Sequence, residues 1–219
     1  PTGAFTSARI KSENLYEFTY GRVEIRAKLP TGGGTWPALW ALGANFDTVG
    51  WPDCGEIDVM EHVGNSANIV SSALHYPENF GGTAVTGSIP ISTATSEFHN
   101  YTVEWTPDSI KFVVDDEFIH VSFVNSSTTP FNSDFFFIMN IALGGSLGGA
   151  IDSEFTEGSM EVDYIRVYQY TNIKGLQKVG SLNYATDLYY SSIILIRNKL
   201  GIWSLMFGIS GLHLHGDPE

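Results

Sequence analysis

Polar and apolar residues alternate over short segments of this chain, and this alternation constrains the fold more than any other feature. In residues 22–29 every even-numbered residue is charged and every odd-numbered residue is apolar. A period of two indicates a β-strand with one face in the core and the other in water. Alternating or continuously apolar runs of strand length recur to about residue 169, and no stretch before residue 170 has helical periodicity. The sequence therefore predicts an all-β sandwich.

One strand-like segment carries three acids. In residues 55–62, Glu56, Asp58 and Glu61 are interspersed with apolar residues. Strict alternation would place Glu56 and Asp58 on one face but turn Glu61 into the core, where an isolated carboxylate is costly. One extra residue at Val59 or Met60, accommodated as a β-bulge, returns Glu61 to the acidic face. We therefore expect a bulge and three acids on one open face.

This spacing is compatible with acid chemistry. With a bulge, the carboxyl groups of Glu56 and Glu61 could approach to about 6 Å, near the 5 to 5.5 Å or so between the two carboxyls of retaining glycosidases. Asp58 lies between them, and three such close acids cannot all ionise cheaply, so one should hold a proton near neutral pH. Taken alone, the pattern also fits a solvated strand face or a calcium-binding edge.

Three neighbouring segments favour the catalytic interpretation. Residues 34–40 read Gly-Thr-Trp-Pro-Ala-Leu-Trp, residues 51–55 read Trp-Pro-Asp-Cys-Gly, and residues 73–77 read Ala-Leu-His-Tyr-Pro. With the acid strand, these segments resemble glycoside hydrolase family 16, specifically its laminarinase-like endo-β-1,3-glucanases. The extra Met60 is typical of laminarinase-like members, agarases and carrageenases rather than lichenases. The resemblance extends from Pro1 to about Gln169.

The resemblance implies a fold and a mechanism. The fold would be a β-jelly-roll sandwich of two curved antiparallel sheets with a concave substrate cleft. Glu56 would be the nucleophile, Glu61 the acid/base, and Asp58 would orient Glu56. The expected activity is retaining, endo-acting cleavage of β-1,3-glucan or mixed-linkage β-glucan, with no catalytic cofactor, by a secreted or cell-surface protein. The alternatives are a non-catalytic β-glucan-binding module of the same fold, or a hydrolase of another polysaccharide such as agar.

Aromatic residues near the acids are candidates for substrate binding. Trp36 and Trp40 are four residues apart and so lie on the same face of a strand. Flat, rigid side chains suit the apolar faces of pyranose rings. Core packing is the alternative for such a pair, but the nearby acids favour the cleft. We expect Trp51 and Asn45 to line the same cleft.

Polar residues complete the predicted cleft. His75 follows the acid strand by about one hairpin, which makes it a neighbour of the acids across the sheet. Arg22 matches a family strand whose first arginine often lies near the sugar, although it also fits a solvated strand charge. Asn140 interrupts an otherwise apolar run, residues 135–143. Its amide either reaches the active site or satisfies backbone groups.

A metal site is implied by resemblance alone. Residues 160–169 resemble the family's final strand, in which an aspartate contributes to a structural calcium site in many members. Asp163 would hold that position. The other ligands normally come from an N-terminal segment that this chain lacks, so we expect the calcium site to be incomplete. The alternative is that Asp163 is an exposed strand acid.

Composition limits the partners. The chain has 24 acidic and 11 basic residues and a formal net charge of −13, which makes nucleic acid an unsuitable partner and fits a neutral polysaccharide better than an anionic one. We expect a monomer with no membrane partner. The single cysteine, Cys54, is expected to be a buried structural thiol. Residues 1–169 are predicted to form the catalytic domain without its N-terminal strands, and residues 170–219 a tail of unknown structure and function.

Overall fold

Short strands make up most of the described chain. The computed structural model describes residues 5–170 and, beyond them, the backbone of residues 182–188, 192–198 and 213–214. The two α-helices in these parts have four residues each, α1 (Phe46–Val49) and α2 (Gly145–Gly148), and two 3-10 helices of three residues each span Gly64–Ser66 and Gly81–Thr83. The strands are β1 (Phe5–Thr6), β2 (Arg9–Lys11), β3 (Glu17–Phe18), β4 (Gly21–Lys28), β5 (Thr35–Gly43), β6 (Glu56–His62), β7 (Ile69–His75), β8 (Val85–Pro90), β9 (His99–Trp105), β10 (Ser109–Val114), β11 (Phe118–Val124), β12 (Phe135–Leu143), β13 (Glu157–Tyr170), β14 (Leu182–Leu188), β15 (Ser192–Asn198) and β16 (His213–Leu214).

The strands form two antiparallel sheets. The first, which we name the cleft sheet, has the order β2-β12-β5-β6-β7-β8, with β3 also paired to β12. The second, which we name the back sheet, has the order β1-β15-β13-β4-β9-β10-β11, with β14 paired to β13 and β16 to β14. The prediction of an all-β antiparallel sandwich is confirmed.

The core lies between the sheets and follows the sequence alternation. In β4 the side chains of Val23, Ile25 and Ala27 are fully buried, whereas the charged residues between them are partly exposed. Opposite them, the cleft sheet contributes Leu39 and Met60, also fully buried. Each large apolar side chain removed from water in this way contributes about 1.5 to 3 kcal/mol. This burial fixes the outward direction of every intervening polar residue.

A tight turn joins β10 to β11. Asp115 and Asp116 both have positive φ, 53° and 60°, and the two strands pair in antiparallel register on either side of them. Positive φ at two consecutive turn residues is the geometry of hairpin turns that match the right-handed strand twist.

The segment after residue 170 extends the back sheet. The backbone of β15 pairs with β13 and with β1, and β14 pairs with the C-terminal half of β13. The side chains of these three tail strands lie outside the described structure, and the tail keeps no assigned function. Within the described residues, no helix has the length and apolar character needed to cross a membrane.

Candidate active site

A β-bulge in β6 places the acids. The register with β5 pairs Asp58 with Trp40 and Met60 with Leu39, so that it skips Val59. The side chains of Val59 and Met60 are both buried, at 2% and 0% exposure. Two consecutive core-facing residues break the alternation and return Glu61 to the face that carries Glu56 and Asp58. The predicted bulge is therefore present.

The three carboxyl groups share one cleft on the outer face of the cleft sheet. Asp58 is buried at 4% exposure, whereas Glu56 and Glu61 are half-buried. The cleft has a volume of about 270 Å³. Its lining consists of the three acids and six neighbours, Arg9, Trp36, Ala38, Trp40, Asn140 and Ala142. The open, half-polar shape suits part of a polymer chain better than an enclosed small molecule.

Burial and mutual repulsion keep protons on the acid group. Burial raises the pKa of Glu56 to about 8, and the charge of Asp58 adds to the increase. Burial raises the pKa of Asp58 well above its ordinary value, with a further contribution from Glu61. The pKa of Glu61 is also raised by burial, while a hydrogen bond from Trp36 opposes that increase. The group therefore titrates as a unit and retains at least one proton near neutral pH.

The two tryptophans of β5 lie in the cleft and orient its polar groups. Trp36 donates a hydrogen bond from Nε1 to Glu61 Oε1 at 2.9 Å. Trp40 donates from Nε1 to Asn140 Oδ1, also at 2.9 Å. The sequence left two positions open for the Asn140 amide, one in the active site and one bonded to backbone groups. The structure places this side chain in the cleft. Both indole rings are part of the lining, as their spacing predicted.

Sequence reasoning missed Arg9. Its guanidinium lies over the Trp40 ring, 4.6 Å from the ring centroid, and β2 pairs Arg9 with Asn140. This cation–π contact holds a positive charge in a cleft dominated by acids. The sequence holds no local signal for it, because β2 is only three residues long and its neighbour β12 lies more than 120 residues away along the chain.

His75 faces the acids from β7, as its position in the next strand predicted. Its Nε2 lies 3.1 Å from Asp58 Oδ2 and 3.7 Å from Glu56 Oε1. The backbone N–H of Gly81 donates to Nδ1 at 3.0 Å, so Nδ1 must carry a lone pair. In the neutral ring the proton therefore sits on Nε2, the ring nitrogen nearer the two carboxyl groups.

This tautomer also bears on metal binding. Ligand atoms of Glu56, Asp58 and His75 lie within 4.8 Å of one another, which is compact enough for a divalent ion. An ion would need a lone pair on Nε2, and moving the proton to Nδ1 would set it against the Gly81 N–H. The arrangement therefore suits hydrogen bonding to carboxyl groups better than metal coordination.

Trp51 and Asn45 differ in their relation to the cleft. The Trp51 side chain adjoins Glu56, where it opposes the rise in the pKa of that carboxyl group, and its ring centroid lies 5.8 Å from that of His75. Asn45 is exposed at the residue preceding α1, and the described residues that line the cleft do not include it. Trp51 therefore adjoins the acids as predicted, while the binding role of Asn45 stays a prediction.

The expectation that Arg22 lies near the sugar cleft is wrong. Arg22 belongs to β4 in the back sheet, and its side chain points away from the core on the opposite side of the sandwich. There it pairs with Glu24 at 2.8 Å and Glu104 at 2.7 Å, and also with Asp116. The alternative considered for this residue, a charge on a solvated strand face, describes its position.

The calcium ligands implied for Asp163 do not assemble in the described structure. Asp163 has a half-exposed side chain and accepts a hydrogen bond from Arg26 Nη1 at 2.8 Å. In the part of the chain that the structure describes, no group of three carboxylate, histidine or cysteine ligands includes Asp163. A hard cation such as Ca²⁺ needs six to eight oxygen ligands or so. These residues do not fit a calcium site.

Comparison with known proteins identifies the family. The sequence pattern of Glycosyl hydrolases family 16 matches residues 2–166, about three quarters of the chain. The chain belongs to this family. A β-glucanase from Rhodothermus marinus is 42% identical over 181 residues, which cover 76% of this chain and 63% of that protein. This family 16 chain therefore spans less than two thirds of that relative's length.

Solved family 16 structures share the fold. A laminarinase from Flavobacterium sp. UMI-01 is 42% identical with a TM-score of 0.70, covering 74% of this chain and 72% of that one. A LamA variant from Z. galactanivorans, solved with laminaritriose and laminaritetraose, is 37% identical with a TM-score of 0.65, covering 71% and 67%. Together with the two antiparallel sheets, these similarities confirm the predicted jelly-roll sandwich.

Proposed function

We propose that this protein is a retaining, endo-acting glycoside hydrolase that cleaves β-1,3-glucan. The observation that carries this proposal is the bulged strand β6, which gathers Glu56, Asp58 and Glu61 into one open cleft beside two tryptophans. Its family 16 relatives named as β-glucanases and laminarinases support the same reaction. Because the chain spans only part of some relatives, the activity of the whole protein is part of the proposal.

Each acid has a distinct role in the proposed double displacement. Glu56 attacks the anomeric carbon while Glu61 protonates the departing glycosidic oxygen, which leaves a covalent glycosyl-enzyme. Glu61 then acts as a base on water, and the water releases the sugar with its configuration retained. Asp58 is the most buried acid, and burial raises its pKa well above its ordinary value. In the proposed reaction the proton that the acids share lies on Asp58 while Glu56 attacks, and the Asp58 O–H then donates to the ionised nucleophile. His75 borders the acids from β7, with Nε2 3.1 Å from Asp58 Oδ2 and 3.7 Å from Glu56 Oε1.

The proposed substrate follows from the cleft. Trp36 and Trp40 offer apolar ring faces for pyranose stacking, while Asn140 and Arg9 supply hydrogen-bond donors for hydroxyl groups. A neutral glucan avoids the repulsion that an anionic chain would meet from a protein of net charge −13. Such a polymer is too large to cross a membrane, so we place the reaction outside the cell.

A reducing-end assay tests the proposal. The 219-residue chain is incubated with laminarin, mixed-linkage β-glucan and agarose, beside the variants Glu56→Gln and Glu61→Gln. The proposal predicts new reducing ends from laminarin with the wild type, and their loss in both variants. Binding of laminarin without new reducing ends would instead identify a β-glucan-binding module, and release from agarose alone would reassign the substrate.

A further inference from the structure

A loop rich in glycine packs against Trp36. Four of the seven residues 144–150 are glycine, and this segment, which we name the glycine loop, includes α2. A Cβ atom added at Gly148 would lie 3.5 Å from Trp36 Cβ, and one added at Gly145 would lie 3.9 Å from Trp36 Cζ3. The loop backbone therefore runs along the tryptophan side chain from its base to the edge of its ring.

The glycine loop depends on anchors outside itself. Glycine loses more backbone freedom on folding than any other residue, and it has no side chain that could pack. At the start of the loop, the Gly144 N–H donates to the Gly34 carbonyl at 2.8 Å. At its end, the carbonyls of Gly148 and Ala150 accept hydrogen bonds from Asn65 Nδ2, at 2.6 and 2.9 Å. One side-chain amide group therefore fixes the C-terminal part of the loop.

Asn65 belongs to the same segment as the proposed acid/base. It lies in the 3-10 helix Gly64–Ser66, which follows β6 and thus comes shortly after Glu61. The contacts form a closed ring, in which Asn65 holds the glycine loop, the loop packs on Trp36, and Trp36 Nε1 donates to Glu61 Oε1 at 2.9 Å. The described residues that line the cleft do not include Asn65. A side chain outside the cleft is therefore connected to the proton donor.

We propose that Asn65 is a positioning residue that, by clamping the glycine loop onto Trp36, keeps the indole N–H on Glu61. This inference rests on the proposed function, in which Glu61 gives its proton to the leaving oxygen. The N–H stabilises the resulting carboxylate most, because a hydrogen bond to an ionised group is about twice as strong as one between neutral groups. The hydrogen bond from Trp36 lowers the pKa of Glu61 against the effect of burial. A displaced indole should raise that pKa and slow the proton transfer.

The test compares two variants of Asn65 with a matched control. Asn65→Ala removes the amide, and Asn65→Leu keeps the branched shape without a donor and without an added charge. Asn132→Ala removes an exposed amide that donates to the Ser127 carbonyl at 3.1 Å in the loop between β11 and β12. Both Asn65 variants should lower kcat on laminarin about 2- to 10-fold, the effect of one weakened hydrogen bond. They should also move the alkaline limb of the pH profile to higher pH, whereas Asn132→Ala should match the wild type in both respects.

Proton NMR supplies a readout that needs no turnover. The indole N–H resonance of Trp36 is assigned by its absence from Trp36→Phe, and its chemical shift reports the hydrogen bond to Glu61. In Asn65→Ala and Asn65→Leu this resonance should move toward the position of an unbonded indole. In Asn132→Ala it should stay at the wild-type position.

Two outcomes would overturn the proposal. If the Trp36 resonance does not move in the Asn65 variants, the clamp does not place the indole. If kcat and Tm fall while the alkaline limb keeps its position, Asn65 contributes to stability alone. Failure of the wild type to cut laminarin would defeat the proposed function, while the resonance comparison still decides whether Asn65 positions Trp36.

Discussion

The two outer faces of the sandwich carry opposite arrangements of charge. On the back sheet, the bases of β4 pair with acids, namely Arg22 with Glu24, Glu104 and Asp116, Arg26 with Asp163, and Lys28 with Glu161. On the cleft sheet, Glu56, Asp58 and Glu61 crowd together with Arg9 as the one cation lining their cleft. One face neutralises its charges and the other concentrates charges of one sign.

Because of this difference, the charges on the two faces contribute differently to stability and to catalysis. Exposed ion pairs contribute only about 0 to 1 kcal/mol each, so the back sheet tolerates changes among them. Like charges in a partly buried cleft cost folding energy and raise pKa values, which is the environment that an acid catalyst requires. A two-residue period places the charges of β4, and the same period interrupted by a bulge places the three acids of β6.

The largest expected effect comes from removing an acid on each face. Glu61→Gln should lower kcat on laminarin by about 100- to 10,000-fold, because it removes the proton donor to the leaving oxygen. Glu104→Gln, its counterpart beside Arg22, should leave kcat unchanged. Steady-state kinetics on both variants checks the contrast. Similar losses of kcat in the two variants would show that the concentration of acids on the cleft face does not determine which acids are catalytic.

Deletions in β6 test how the bulge places the acids. Removing Val59 alone leaves an alternating strand with all three acids on the cleft face, so activity should fall without loss of the fold. Removing Val59 and Met60 together turns Glu61 into the core, which should cost more than about 3 kcal/mol. Urea denaturation and activity measure the two effects. If both deletions lower stability and activity equally, the alternation of side chains along β6 does not place the acids.

The raised pKa of Glu56 in the cleft should make the stability of the protein depend on pH. Burial raises the pKa of Glu56 from 4.5 to about 8, so the folded protein binds more protons than the unfolded chain between these values. The stability from this group is complete below about pH 4.5 and is lost as pH rises through about 8. Glu56→Gln should therefore raise Tm by about 2 to 4 °C at pH values near 9, and by less near pH 5. If Glu56→Gln raises Tm by the same amount at every pH, the raised pKa of Glu56 is not the cause of the increase.

The smallest expected effect concerns binding. Trp40→Ala should weaken oligosaccharide affinity about 2- to 10-fold, because it removes a stacking face that contributes about 0.5 to 1.5 kcal/mol beyond area burial. Arg22→Met, on the back sheet, should leave affinity unchanged, while the loss of a partly buried charge beside three acids lowers stability. Calorimetric titration of both variants measures the difference. Reduced affinity in Arg22→Met would place a binding surface on the back sheet.

The sequence predicted those features that depend on neighbours along one strand. The alternation in β4 predicted which side chains are buried, and the odd spacing of Glu61 predicted the bulge. Trp36 and Trp40 were predicted on one face because a strand repeats every two residues. Each of these inferences needs only the local period and the cost of burying a charge.

The features that the sequence did not predict depend on which strands become neighbours. The alternation of residues around Arg22 fits a strand of either sheet. The pairing of β4 with β9 and β13 places Arg22 in the back sheet, away from the cleft. Arg9 reaches Trp40 only because β2 pairs with β12. Long-range pairing is not encoded in any single segment.

The most direct test of the account is the configuration of the first product. Proton NMR of laminarin during hydrolysis distinguishes the two anomers of the new reducing end before they interconvert. Attack by Glu56 followed by water activated by Glu61 predicts that the β-anomer appears first and the α-anomer grows only by later mutarotation. Initial formation of the α-anomer would mean a single displacement by water, and it would contradict the assignment of Glu56 as a nucleophile.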